Sequence, residues 1–204
     1  MKKLILVMAL FAMMTGLLVA QDTNIDTQEI TVTINEIALL AVTPADASAP
    51  SVSAAAPSVT ITVTQPELAG DAPVVAVNHD PTYLRYTSLR FGGLSRGITV
   101  KVSAEIPGML LKVSATGTLS NSYGNVGTGL ENITLTVDGD DLITGIGAGL
   151  ARTGIDANAG HQLTYSAEID VDNLDQLGSS LDDTLNQLDS ESTVITVTFT
   201  LADL

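Results

Sequence analysis

Apolar and polar residues alternate with a period of two in several separate segments of the chain. The pattern is plain in Ile30–Ile34, Ser58–Thr64, Ile98–Ile106 and Thr193–Leu201, where Val, Ile or Leu alternates with Thr, Ser, Lys or Asn. Side chains of a strand point alternately to the two faces of its sheet, so this period predicts strands with one buried face. Ile37–Val42 is apolar on both faces, which indicates cover on both sides.

Further strands are predicted from shorter apolar runs bounded by turn residues. They are Val74–Val77, Tyr83–Ser88, Met109–Thr116, Ile133–Val137 and Gln162–Val171, whereas Leu142–Ile146 is too short to assign from its pattern. Pro107 and Gly108 form a turn signal, and we expect the strands on either side of it to pair as a hairpin. Stretches rich in Pro, Ala, Gly, Ser or Asn at 43–57, 117–132 and 147–160 read as loops.

One segment departs from the strand pattern. Between residues 174 and 188 the leucines recur at spacings of three and four, with Asp and Gln between them, which is the period of a helix. These residues are Leu174, Leu177, Leu181, Leu185 and Leu188. Many short strands and a single helix predict an all-β fold, an antiparallel β-sandwich of Ig-like type with one short helix before the C-terminal strand.

The N-terminus predicts export. Lys2 and Lys3 precede an apolar run from Leu4 to Ala20, and Gln21 opens a polar continuation. A basic start, an apolar centre and a small residue at the junction are typical of a secretory signal, although the run is also long enough for a retained membrane anchor. We expect a signal peptide at 1–20, a single domain at 21–204, and a location outside a bacterial cell, on its surface or in its periplasm.

Charge and composition narrow the classes of partner. Of eight basic residues Lys2 and Lys3 lie in the predicted signal, so six remain against 23 acidic residues, a net charge of −17. Such a chain is a poor ligand for nucleic acid or for an anionic membrane surface. No later stretch is apolar enough to span a membrane. The chain has no Cys and no Trp, so its core must be aliphatic and no disulfide can stabilise it.

Two glycine-containing motifs resemble catalytic or cofactor loops. Gly93–Gly97 fits G-x-S-x-G, but a nucleophile elbow needs a helix after the serine and here a strand is predicted to follow. Gly145–Gly149 resembles the start of a dinucleotide loop, but Leu150 stands where the third glycine belongs and no βαβ unit surrounds it. The first is interpreted as a hairpin turn and the second as a flexible glycine loop. We predict no catalytic residue, no bound organic cofactor and no enzymatic activity.

Carboxylates and histidines supply the remaining chemistry. Asp138, Asp140 and Asp141 cluster in one turn, and oxygen-rich turns can hold Ca²⁺, so these three residues are weak calcium candidates. The EF-hand pattern is not met, and Asp and Gly favour turns for backbone reasons alone. The two histidines, His79 and His161, are too few for a zinc site without added carboxylates.

The alternating segments at the two ends resemble the terminal strands of bacterial fimbrial subunits of the sandwich type. The matching residues are Ile30–Ile34 and Val194–Leu201. The chain is also similar to a broad set of uncharacterised secreted proteins of Bacteroidota, which carry segments like Ile30–Leu40 and Gly160–Tyr165. The first resemblance implies a pilin-like sandwich whose terminal strands are exchanged between subunits; pairing of the two strands within one domain is the alternative.

Two functions follow from these observations. The first is a non-catalytic structural protein, a fibre, pilus or cell-surface subunit that self-associates through edge strands. The second is a monomeric extracellular module that binds carbohydrate or Ca²⁺ through its long loops. Glycan sites usually present aromatic platforms, and the tyrosines available are Tyr83, Tyr86, Tyr123 and Tyr165.

Overall fold

A computed structural model describes residues 28–45, 57–69, 71–117, 119, 121–170, 172–173 and 193–203. The chain divides into two units, Met1–Ile34 and Asn35–Leu204. The predicted signal peptide and the predicted helix at 174–188 both lie outside the described residues. The described ranges contain no α-helix. They therefore contain no helix that is long and apolar enough to cross a membrane.

Twelve strands make up the described part of the second unit. They are β1 (Ile37–Pro44), β2 (Val59–Thr64), β3 (Val74–His79), β4 (Thr82–Arg90), β5 (Arg96–Val102), β6 (Met109–Thr116), β7 (Val126–Gly129), β8 (Ile133–Thr134), β9 (Asp140–Ile146), β10 (Gly149–Arg152), β11 (His161–Ile169) and β12 (Val197–Asp203). All their pairings are antiparallel. The all-β, antiparallel character predicted from the alternating pattern is confirmed.

The strands form two larger sheets and a hairpin. In the first sheet the order is β1-β4-β11-β6-β8, and β10 shares the edge of β4 with β11. In the second sheet the order is β12-β5-β9-β7, and β2 pairs with β3 alone. Consecutive strands often lie in different sheets, so the chain crosses repeatedly from one sheet to the other.

Both larger sheets contribute to one aliphatic core. The first sheet supplies Leu84, Val113 and Leu163, and the second supplies Ile98 and Val100, all at most 1% exposed. Burying such side chains stabilises each by roughly 1.5–3 kcal/mol. The core therefore depends on Leu, Ile and Val, as the composition predicted.

The pairing predicted across Pro107 and Gly108 is wrong. Both flanking strands exist, but β5 ends at Val102 and pairs with β9 and β12, whereas β6 pairs with β11 and β8. The amide of Val102 donates to the carbonyl of Thr136 at 3.0 Å, so the backbone groups at the end of β5 find partners elsewhere. The segment between Val102 and β6 therefore carries the chain from one sheet to the other.

The N-terminal alternating segment is not a strand of this fold. Ile30, Val32 and Ile34 are 75%, 73% and 61% exposed and form no ladder, and the first strand begins only at Ile37. Ile37 is opposite Leu89, which is near the end of β4, so the ladder between β1 and β4 starts there. The alternative in which the two terminal segments pair with each other is not found among the described strands, because Ile30–Ile34 forms no ladder and β12 pairs with β5.

Two strands lie in segments that were predicted to be loops. β7 falls within 117–132 and β10 within 147–160, while the strand predicted at Ile133–Val137 is reduced to Ile133–Thr134. Their glycines weaken the strand pattern, and Gly127 (φ 71°) and Gly149 (φ 82°) have a backbone that few other residues adopt. The pairing of β7 with β9 and of β10 with β4 overrides the preference of these glycine-rich segments for loops.

Candidate functional site

A break in the ladder beside β4 brings several buried polar side chains together. On this edge β10 pairs with residues 87–90 of β4 and β11 pairs with residues 82–84. Arg85 and Tyr86 lie in the interval, and the loop from Thr153 to Gly160 passes across them. The amide of Tyr86 donates to Oγ1 of Thr153 at 3.1 Å, and the amide of Thr153 donates to the carbonyl of Tyr86 at 3.1 Å.

Arg85 holds this loop in place. Its side chain is buried and donates to the carbonyl oxygens of Ala159 at 2.9 Å, Asp156 at 2.9 Å and Ile155 at 3.4 Å. Burial lowers the pKa of Arg85 below its usual value, and the charge of Asp156 opposes that effect. A guanidinium group remains charged in proteins, so the loop carbonyls solvate a buried cation.

Tyr86 and His161 form a buried pair next to this loop. Each is 3% exposed, their rings are stacked with centroids 5.9 Å apart, and Tyr86 Oη lies 3.1 Å from Nε2 of His161. The hydroxyl of Tyr86 also donates to the carbonyl of Val126 at the start of β7. The pair therefore connects β4 and β11 of one sheet with β7 of the other.

The tautomer of His161 is assigned from the hydrogen bonds around it. A carbonyl oxygen can only accept, so the single hydroxyl proton of Tyr86 is directed at Val126. Tyr86 Oη then accepts from His161, which places the proton of the neutral imidazole on Nε2 and leaves Nδ1 as an acceptor. Among the described residues no donor reaches Nδ1.

An open cleft of about 350 Å³ lies on the Nδ1 side of this histidine. It is lined by residues that include Thr116, Gly117, Thr128, Gly129, Glu131 and His161. Gly129 brings β7 close to β6: a Cβ there would lie 1.9 Å from the carbonyl oxygen of Ala115 and 3.1 Å from Nδ1 of His161. Only a glycine fits at this position.

The stability of the fold is expected to decrease in acid because of His161. Burial lowers its pKa, and the nearby backbone carbonyl of Val126 acts in the opposite direction. The folded state therefore favours the neutral ring. Its contribution to stability is complete above the unfolded pKa of about 6.5 and is lost as the pH falls below that value.

Urea unfolding of the wild type and His161→Gln at a series of pH values measures this effect. The difference in unfolding free energy between the two should change by up to about 1.4 kcal/mol per pH unit below about pH 6.5. His79→Gln is the control, because His79 lies on the hairpin strand β3 and bonds the carbonyl of Asp80 at 3.1 Å. Parallel pH profiles for wild type and His161→Gln would contradict the assignment.

The calcium candidates lie together at the start of β9. Asp138, Asp140 and Asp141 are all exposed, and Asp140 accepts a hydrogen bond from Oγ1 of Thr136 at 3.2 Å. The same hydroxyl accepts from the amide of Gly139, which accounts for the turn. Over the described ranges no three His, Asp or Glu side chains are placed to hold a metal ion. Calcium binding here stays a prediction.

The G-x-S-x-G segment connects β4 to β5. Its charged residue, Arg96, stabilises the fold, as described below. As predicted, a strand follows the serine, beginning at Arg96. Ser95 accepts through its carbonyl from Arg90 at 3.3 Å. Because β4 and β5 belong to different sheets, the turn is a crossover and not a hairpin.

Arg96 is the centre of a charged group that we call the Arg96 cluster, consisting of Glu36, Arg90, Arg96 and Asp203. Arg96 is 7% exposed and donates to Oδ1 of Asp203 at 2.9 Å and to the carbonyl of Ile37 at 2.7 Å. Arg90 contacts the same Asp203 oxygen at 2.6 Å. The hydrogen bond from Arg96, with the nearby arginine charges, lowers the pKa of Asp203. The cluster links the start of β1 to the end of β12.

Among the described residues the ring contacts are those of Tyr86 with His161 and of Tyr165 with His79, and no shared aromatic platform forms. Tyr86 is buried, and Tyr165, whose pKa burial raises to about 12, contacts His79 edge-on at 5.7 Å between ring centroids. Tyr123 is 58% exposed and is bridged to Arg152 through its backbone. Sequence reasoning missed the roles of Arg85 and Arg96. Each strand also carries a second basic residue, Arg90 in β4 and Lys101 in β5, so the sequence pattern did not single out the two arginines.

Comparisons of the chain with protein-family models, with curated proteins and with solved structures gave no match.

Proposed function

We propose that this protein is a non-catalytic, exported structural subunit that self-associates through its edge strands into a fibre, pilus or surface layer. In this proposal the two larger sheets form an Ig-like or pilin-like sandwich, and residues 174–188 add the short helix. Residues 1–20 are the export signal. The subunit acts outside a bacterial cell or in its periplasm, without nucleic acid as a partner.

The observation that supports the proposal is the unused strand sequence at 28–36. Ile30, Val32 and Ile34 alternate with Thr31 and Thr33, as in a half-buried strand, but form no ladder and are mostly exposed. Exposed alternating apolar residues form a ready template for pairing with another chain. A second copy would bury these three side chains on one face of its sheet.

An acceptor edge is available in the second sheet. Among the described strands β12 pairs only with β5, so its outer row of backbone groups has no strand partner. Val197, Phe199 and Leu201 of β12 pack against the core but are only half-buried. A strand added beside β12 would satisfy the backbone and cover these side chains.

The test uses the chain purified after export and two single variants. Val32→Pro removes a strand hydrogen bond and should abolish self-association, seen as a monomer by light scattering and as loss of filaments by electron microscopy. Leu68→Pro is the matched control, because Leu68 is a 68% exposed residue of the β2–β3 connection. It should assemble like the wild type.

Two results would reject the proposal. One is a wild-type protein that stays monomeric at every concentration with no filaments on cells. The other is equal assembly of the wild type and Val32→Pro.

A further inference from the structure

The cleft beside His161 has the features of a binding site that self-association does not use. His161 is 3% exposed, and its ring is fixed by Tyr86 on the Nε2 side. Its other nitrogen, Nδ1, has no donor among the described residues and lies next to Gly129 at the cleft. It is not among the fully buried side-chain atoms that lack a partner, so it is reachable from the cleft, where a ligand or water could donate to it.

The other polar groups of the cleft are chiefly acceptors as well. Glu131 contributes a carboxylate, and Thr116 and Thr128 contribute hydroxyls that both accept and donate. Gly117 and Gly129 leave the backbone open to close approach. Acceptors select a ligand rich in donors, and a carboxylate in a chain of net charge −15 disfavours an anion.

We propose that this cleft binds a neutral, hydroxyl-rich small molecule of the monosaccharide class, with one hydroxyl donating to Nδ1 of His161 and another to Glu131. The cleft volume of about 350 Å³ falls at the lower end of the roughly 300–1,000 Å³ of small-molecule sites. An ammonium ligand fits less well, because among the described residues that line the cleft Glu131 is the one carboxylate and none is Tyr, Phe or Trp. Without an aromatic platform the affinity is expected in the millimolar range.

Long-range ¹H–¹⁵N NMR of the imidazole nitrogens tests this proposal directly. Titration with neutral monosaccharides, among them glucose, galactose, mannose and N-acetylglucosamine, should shift Nδ1 of His161 in a saturable way. His79 is the internal control within the same spectrum and should not shift. The readout does not depend on assembly, so failure of the structural proposal would leave this result interpretable.

Two conservative variants separate binding from folding. Glu131→Gln and Thr128→Val alter exposed side chains and should each weaken the sugar titration roughly 3- to 10-fold, the loss expected for one hydrogen bond. Glu105→Gln, in the separate cleft around Pro107, should leave it unchanged. The proposal is overturned if no sugar shifts Nδ1, if only simple amines do, or if both variants titrate like the wild type.

Discussion

Arg85→Met is expected to lower the free energy of unfolding by about 3–4 kcal/mol. Methionine keeps much of the apolar stem but removes the donors that satisfy the carbonyls of Ile155, Asp156 and Ala159. Acceptors left in a buried position incur the cost of desolvation without a hydrogen bond, and a bond to a charged group contributes roughly 1.5–3 kcal/mol. Urea unfolding measures the change.

The control for Arg85→Met is Arg152→Met, which removes an exposed arginine from β10 in the same sheet. It should change stability by less than about 0.5 kcal/mol. Hydrogen exchange adds a local readout, because the amides of Thr153 and Ala159 should lose protection before the sheet does. If Arg85→Met stays within about 1 kcal/mol of the control, the loop is not held by the guanidinium group.

Arg96→Met is expected to cost about 2–4 kcal/mol. The change removes the donors to Asp203, to the carbonyl of Ile37 and to the hydroxyl of Ser88, which is fully buried. Glu36 and Asp203 remain partly exposed, so solvent compensates the carboxylates better than it compensates the serine and the carbonyl. Thermal and urea unfolding measure the loss.

A second measurement ties this loss to the Arg96 cluster. The pKa of Asp203 is lowered mainly by the hydrogen bond from Arg96, so in Arg96→Met it should rise towards its ordinary value in an NMR titration. Lys101→Met is the control, because Lys101 is exposed on the same strand. An unchanged Asp203 titration in Arg96→Met would show that Arg90 alone sets it.

Most of the predicted strands exist, although the alternating segment Ile30–Ile34 forms none. Ser58–Thr64 and Met109–Thr116 correspond closely to β2 and β6 because each has one face against apolar neighbours. Pairing was not predictable in the same way. The strands on either side of Pro107 have the local pattern of a hairpin. They lie in different sheets because both sheets must supply side chains to one core, which the local pattern does not reveal.

The candidate site was less predictable than the fold. His161 was noticed as one of two histidines, but its partner Tyr86 lies 75 positions away and belongs to another strand. The alternating pattern of Tyr83–Ser88 gives Arg85 no special position. Its burial depends on the loop carbonyls between Thr153 and Gly160, which come together only when β10 and β11 share the edge of β4.

The pairing of β12 with β5 sets the order in which this chain can fold. Arg96 and Asp203, which close that pair, are 107 positions apart, so the second sheet lacks this edge strand until residues 197–203 have been synthesised. Such long-range contacts slow folding because the chain entropy is lost before the contacts are gained. During synthesis one edge of β5 therefore stays unpaired until β12 is made. A truncation before Val197 would leave that edge of β5 unpaired permanently.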